Sequence, residues 1–202
     1  MVQTIPLPPK TIAPFITLDL TSIRLTHEQF WQICCDNPDL RLELTSNGEL
    51  IVMPPAGSKT GQRNFNLTGQ FQTWVEKDGT GIGFDSSTGF TLPDKAVLSP
   101  DVSWVRRERW DVLSEEEQER FAPLCPDFVI ELRSRWNTLK EQQRKMQEYV
   151  DNGTQLGWLI DPGERRVYIY RPGEEVEVLT DAATVSADPI LNGFVLQLAE
   201  LW

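Results

Sequence analysis

From Pro126 to Ser134 the chain reads PDFVIELRS, an apolar, strand-forming run that carries an acid and a base two residues apart, Glu131 and Arg133. Alternation across a strand puts Val129, Glu131 and Arg133 on one face, and Phe128, Ile130 and Leu132 on the other. The patterns on either side predict further elements. Thr26 to Gln29 is a capping box that opens a short helix to about Asp36. Arg41–Thr45 and Glu49–Met53 flank Asn47-Gly48, a strong hairpin signal. Phe65, Phe71, Trp74 and Val75 fall at roughly helical spacing, which predicts a long helix from Gly57 to Asp78 with a break at Gly79. Residues 81–92 read as two short strands around Asp85, and Val102–Arg106 as another. Ser114 to Glu117 is a second capping box, opening an acidic helix to about Phe121. Asn137 or Thr138 caps a helix ending at Asn152-Gly153, followed by strands over 155–160, 166–171, 176–179 and 194–198. A strand, helix, strand unit of this kind makes a right-handed parallel pair inside a mixed sheet. The expectation is an α/β chain, a central mixed sheet flanked by helices with a C-terminal β-hairpin.

Composition narrows the chemistry. At 202 residues the chain can build one domain, expected over 16–202, behind an extended Pro-rich arm over 1–15. The net charge of −11 argues against polyanion binding by the molecule as a whole, so any nucleic-acid site must be a local patch. Three cysteines, with Cys34 and Cys35 adjacent in a helix, read as small core residues and suit a reducing cytoplasm. A single histidine, His27, excludes a His-rich metal site and leaves no Ser-His triad. No membrane span or signal peptide is expected.

A carboxylate in so apolar a strand costs several kcal/mol unless a cation or donors meet it. Glu131 is therefore either half of an ion pair, with Arg133 or another base, or a metal ligand. Pro100-Asp101 at the mouth of a strand, Glu131 on a later strand, and Lys140, Arg144 and Lys145 on the next helix together suit metal-assisted phosphodiester hydrolysis. That reaction needs a divalent ion to acidify a water and a cation to orient it. Two carboxylates with few other protein ligands suit Mg²⁺. Asp127 also follows a proline, but lies roughly 13 Å from Glu131 along an extended strand, too far to share one ion.

In order along the chain, Glu43 in RLEL, the Asn47-Gly48-Glu49 turn with Met53-Pro54, SPDVSWV at Ser99–Val105, PDFVIELRS, KMQEYVDNG at Lys145–Gly153 and GWLIDP at Gly157–Pro162 resemble the Uma-two family of restriction-endonuclease-like proteins. The resemblance spans roughly Thr26 to Trp202. It implies the PD-(D/E)XK nuclease superfamily, a restriction-endonuclease-like core and a Mg²⁺- or Mn²⁺-dependent endonuclease acting on DNA. It further implies Asp101, Glu131 and the Leu132 backbone carbonyl as metal ligands, with Glu43 as an additional acid. The superfamily's lysine is replaced by Arg133. Arginine does not deprotonate, so Lys145, four residues before Tyr149, competes with Arg133 for the part of water-orienting cation. Lys59 and Arg63, four apart on the long helix, are candidate phosphate contacts, and a homodimer is expected. The alternative is a nuclease-derived module that binds or assembles without cutting.

Overall fold

The computed structural model describes residues 15–202, so the expected Pro-rich arm lies outside the described residues except for Phe15. The described chain opens with β1 (Ile16–Asp19) and α1 (His27–Asp36), whose N-terminus is closed by reciprocal Thr26–Gln29 hydrogen bonds. The Asn47-Gly48 turn joins β2 (Arg41–Leu44) to β3 (Glu49–Met53), with Gly48 at φ +87°, a conformation that favours glycine. Next come α2 (Ser58–Asp78), β4 (Gly81–Asp85), β5 (Phe90–Thr91), β6 (Val97–Leu98) and β7 (Val102–Arg106). Two short helices follow, α3 (Arg107–Trp110) and α4 (Glu115–Glu119), and then β8 (Phe128–Leu132). A Thr138–Glu141 capping box opens α5 (Leu139–Asp151), and the chain closes with β9 (Leu156–Asp161), β10 (Arg166–Tyr170), β11 (Glu177–Thr180), β12 (Thr184–Ser186) and β13 (Val195–Gln197).

The main sheet has the strand order β11-β10-β9-β8-β7-β4. Its β8–β9 pair is parallel and bridged by α5, as the sequence predicts, and every other pair in it is antiparallel. A second sheet, β1-β3-β2-β6-β5, carries the hairpin, and β12 pairs antiparallel with β13 near the C-terminus. The two strands predicted over 81–92 do not pair with one another: β4 joins the main sheet beside β7, while β5 pairs with β6 in the second. Strands of two residues have too little alternation to betray their partner.

Alternation along β8 sets the two sides of the main sheet. Phe128, Ile130 and Leu132 pack with Leu67 and Phe71 of α2 and with Trp158 and Phe194, whereas Val129 packs with Met146 and Tyr149 of α5. Buried Leu67 and Phe71 with Trp74 and Val75 form the α2 stripe; Phe65 is 79 % exposed and lies off it. Six residues separate Phe65 from Phe71, about 240° around a helix, so the two cannot share a face. Cys34 sits at the edge of a small core beneath α1, but Cys35 is exposed, which corrects the reading of both as core residues.

Candidate active site

The edge of β8 is where the acids gather. The β7–β8 register pairs Val102 with Ile130, so continuing it by one residue brings Asp101 opposite Glu131. Asp101 Oδ2 accepts the Leu132 backbone N–H at 2.8 Å, and Asn64 of α2 donates to Oδ1 at 3.0 Å. From the second sheet, Glu43 of β2 points into the same space and accepts the Ser99 N–H at 2.9 Å. Both glutamates are deeply buried, Glu43 at 3 % exposure and Glu131 at 5 %. Lys145 reaches in from α5, on the helical face that carries Gln142, Met146 and Tyr149. Its Nζ lies 2.8 Å from Glu131 Oε1 and 2.9 Å from Glu43 Oε1, and the Tyr149 hydroxyl donates to Glu131 Oε1 at 3.2 Å. Glu43, Asn64, Asp101, Glu131 and Lys145 line a cavity of about 400 Å³ between the two sheets and the N-terminal ends of α2 and α5, with Tyr149 buried behind them. A hollow of about 390 Å³ between α5 and the β10–β11 turn holds no such grouping of acids.

The electrostatics leave this cluster short of positive charge. Burial raises the Glu131 pKa to about 7, with Asp101 and Glu43 adding to the shift and Lys145 opposing it. Burial likewise raises Asp101, against the pull of the Leu132 N–H, Lys145 and Asn64. Burial alone would lower the Lys145 pKa, but Glu131 and Glu43 hold it above the ordinary lysine value. Lys145 is therefore an ammonium donor here and not a base. Three carboxylates thus gather around one ammonium that contacts only Glu131 and Glu43, with Arg41 a further positive influence on Asp101.

A divalent ion fits this deficit. Glu131 Oε1 is taken by Lys145 and Tyr149, whereas Oε2 accepts no hydrogen bond among the described residues. Asn64 Oδ1 is buried without a partner beside Asp101, an acceptor that a cation or its water would satisfy. Among the described residues no three His, Cys, Asp or Glu side chains form a complete ligand set. The donors on hand are two carboxylates and neutral oxygens, a set suited to an ion that keeps several waters.

The sequence-predicted residues divide clearly. Asp101, Glu131, Glu43 and Lys145 converge, and Leu132 lines the same cavity. Arg133 does not meet Glu131. Beyond the end of β8 it turns to Asp161 of β9, with Nη1 2.6 Å from Oδ2, and it donates from Nε to the Asn137 carbonyl at 3.1 Å. The ion-pair partner of Glu131 is thus Lys145. Asp127 is held by Arg109 at 2.9 Å and by the Arg106 N–H, away from the cavity. Lys59 is exposed and Arg63 half-buried; neither lines the cavity, which α2 meets through Thr60 and Asn64, each one residue further along. Asn64 and Tyr149 were not anticipated as site residues. Asn64 could have been found from its spacing, since 64, 67 and 71 mark one helical face whose other two members are apolar.

A family model described as "Putative restriction endonuclease" (Uma2) matches residues 27–199. No curated protein matches the chain. Among solved structures, the fold is similar to that of a putative nuclease belonging to DUF820 from Anabaena variabilis, with a TM-score of 0.67. The two share 24 % identity, over 79 % of this chain and 88 % of that one, which bears on the fold alone.

Proposed function

The chain belongs to the Uma2 family of restriction-endonuclease-like proteins, and on that premise we propose that it is a Mg²⁺- or Mn²⁺-dependent endonuclease that hydrolyses DNA phosphodiester bonds in the cavity between its two sheets. The single observation that carries this reading is the gathering of Asp101, Glu131 and Glu43 in one cavity with a single ammonium, Lys145, that contacts both glutamates, and with open carboxylate and amide oxygens beside them. Asp101 and Glu131 would hold the ion, with Asn64 Oδ1 and the Leu132 carbonyl as neutral donors at its margin. Bound there, a divalent ion acidifies a water and offsets charge on the phosphate.

The chain's own groups do the rest. Lys145 Nζ, fixed between two glutamates, is placed to orient the attacking water or to meet charge developing on the phosphate. Glu43 holds that ammonium in place while itself anchored by the Ser99 N–H. Tyr149 fixes the Glu131 carboxylate on one oxygen and leaves the other free. Arg133 is a structural brace in this scheme, because its guanidinium is engaged by Asp161.

A second reading is favoured by the same ion pairs. Lys145 closes on Glu131 and Glu43 as a self-contained internal network, as a binding or assembly module that no longer cuts would retain. Plasmid nicking in Mg²⁺ or Mn²⁺ by the parent, Asp101→Ala and Glu131→Ala, alongside calorimetric titration with Mn²⁺, separates the two. Cleavage and metal binding that both disappear in each variant support the nuclease. Cleavage that persists in both variants refutes the site, and a parent that binds no metal and cuts nothing supports the module.

A further inference from the structure

We propose that Trp136 is a stacking platform for an unpaired nucleobase, so that the substrate presents a single-stranded or flipped nucleotide beside the scissile phosphate. This rests on the nuclease reading above and names its substrate class. Trp136 is 51 % exposed, although most of the chain's tryptophans are at least partly buried. It stands on the rim of the acidic cavity, between the end of β8 and the start of α5. Its position is built. Asn137 N–H closes a turn on the Ser134 carbonyl at 3.2 Å, and the Trp136 N–H is held by Ser134 Oγ at 3.2 Å. Arg133, clamped to Asp161, donates to the Asn137 carbonyl and fixes the far side of the turn. Arg135 lies over the indole with Cζ 4.6 Å from the ring centroid, so a π face and a guanidinium are presented together.

Charge favours a base over a bare phosphate backbone as the main source of affinity. Six carboxylates line the cavity against three cations, Arg41, Arg144 and Lys145. Lys145 is already engaged by Glu43 and Glu131. Duplex binding draws its strength from many Lys and Arg contacts to phosphate, and this cavity offers few. Stacking of a base on an aromatic ring needs no such cations. Arg133, standing where the superfamily has its lysine, thereby becomes a positioning residue that braces the turn carrying the platform.

The test is fluorescence anisotropy with a labelled oligothymidylate and a labelled blunt hairpin duplex, in Ca²⁺ to withhold cleavage, using the full chain and its Trp136→Ala and Trp136→Phe variants. The parent is expected to hold the single strand more tightly than the duplex. Trp136→Ala should weaken the single strand on the order of 5- to 100-fold, while Trp136→Phe retains most of the affinity and duplex binding and Mn²⁺ binding stay at parental levels. An unchanged single-strand affinity in Trp136→Ala, or an equal loss for strand and duplex, overturns the platform while leaving the nuclease reading in place. A parent that binds neither nucleic acid overturns both. Because the side chain is half exposed, melting temperatures of the variants should match the parent.

Discussion

Lys145→Met removes the ammonium from the centre of the site while keeping a side chain of similar length, and it leaves two deeply buried carboxylates without their cation. Lys145 sits 2.8 Å from Glu131 and 2.9 Å from Glu43. Taking one partner out of a buried ion pair costs about 3–5 kcal/mol, because the remaining charge is stranded. For a chain of this length that corresponds to a melting-temperature drop of roughly 6–20 °C. The pH dependence has a definite sign. Glu131 already binds its proton more tightly folded than unfolded, with a pKa near 7 set first by burial, and Lys145 is the group that opposes the shift. Without Lys145 the folded pKa rises further. Protonation of Glu131 then contributes stability that is fully present below the unfolded carboxylate range and is lost as pH rises through the folded pKa. The penalty should therefore be smaller at about pH 5.5 than at about pH 8, by on the order of 1 kcal/mol. Urea unfolding of parent and variant at both pH values measures it, and Mg²⁺ added at the higher pH should recover part of the loss. A penalty below about 1 kcal/mol at both pH values, or one that grows on acidification, would refute the assignment of Lys145 as the compensating charge.

Metal affinity should itself depend on pH: a proton on Glu131 competes with the ion, so calorimetric Mn²⁺ affinity is expected to rise by up to about tenfold per unit below pH 7 and to level off above it. Arg133→Ala breaks the pair with buried Asp161 and should cost about 1–3 kcal/mol in urea unfolding, yet leave Mn²⁺ affinity near the parental value; a loss of metal binding would restore Arg133 to the site. Two glycines test the packing around the main sheet. A Cβ at Gly81 would lie 2.2 Å from the buried Trp104 ring, so Gly81→Ala should destabilise by about 1–3 kcal/mol. At Gly157 the obstacle is the terminal methyl of Met146, 2.5 Å away at the end of a flexible side chain, so Gly157→Ala should cost the lesser amount when the two are compared by thermal melting.

Local pattern was enough for the elements that organise the site. Alternation over Phe128–Leu132, the capping boxes at Thr26 and Ser114 and the Asn-Gly turn each depend on residues within a few positions of one another, and each stands in the structure as read, while the choice between Asn137 and Thr138 falls to Thr138, which forms a third box with Glu141. So does the parallel β8–β9 pair, because a single helix of α5's length leaves the chain few ways back to the sheet. Strand alternation also gave Glu131 its side of the sheet, and with it the need for a cation. Which cation meets it was beyond local reading. Arg133 is nearest in sequence and shares the β8 face by parity, but the strand ends at Leu132 and the guanidinium finds Asp161 across the parallel pair. Lys145 is fourteen positions away and arrives only because α5 packs its Met146 and Tyr149 against the sheet. Asn64 and Glu43 come from further still, one on a helix and one on a separate sheet; helical spacing puts Asn64 on the face of Leu67 and Phe71, but the hydrogen bonds that join the two residues to the site, to Asp101 and to the Ser99 N–H, follow no sequence period. The sequence by itself determined that a buried acid on β8 needed compensation; the tertiary structure decided which residue compensates it and where charge is still lacking, because distances between elements follow from how their faces pack and not from their order along the chain.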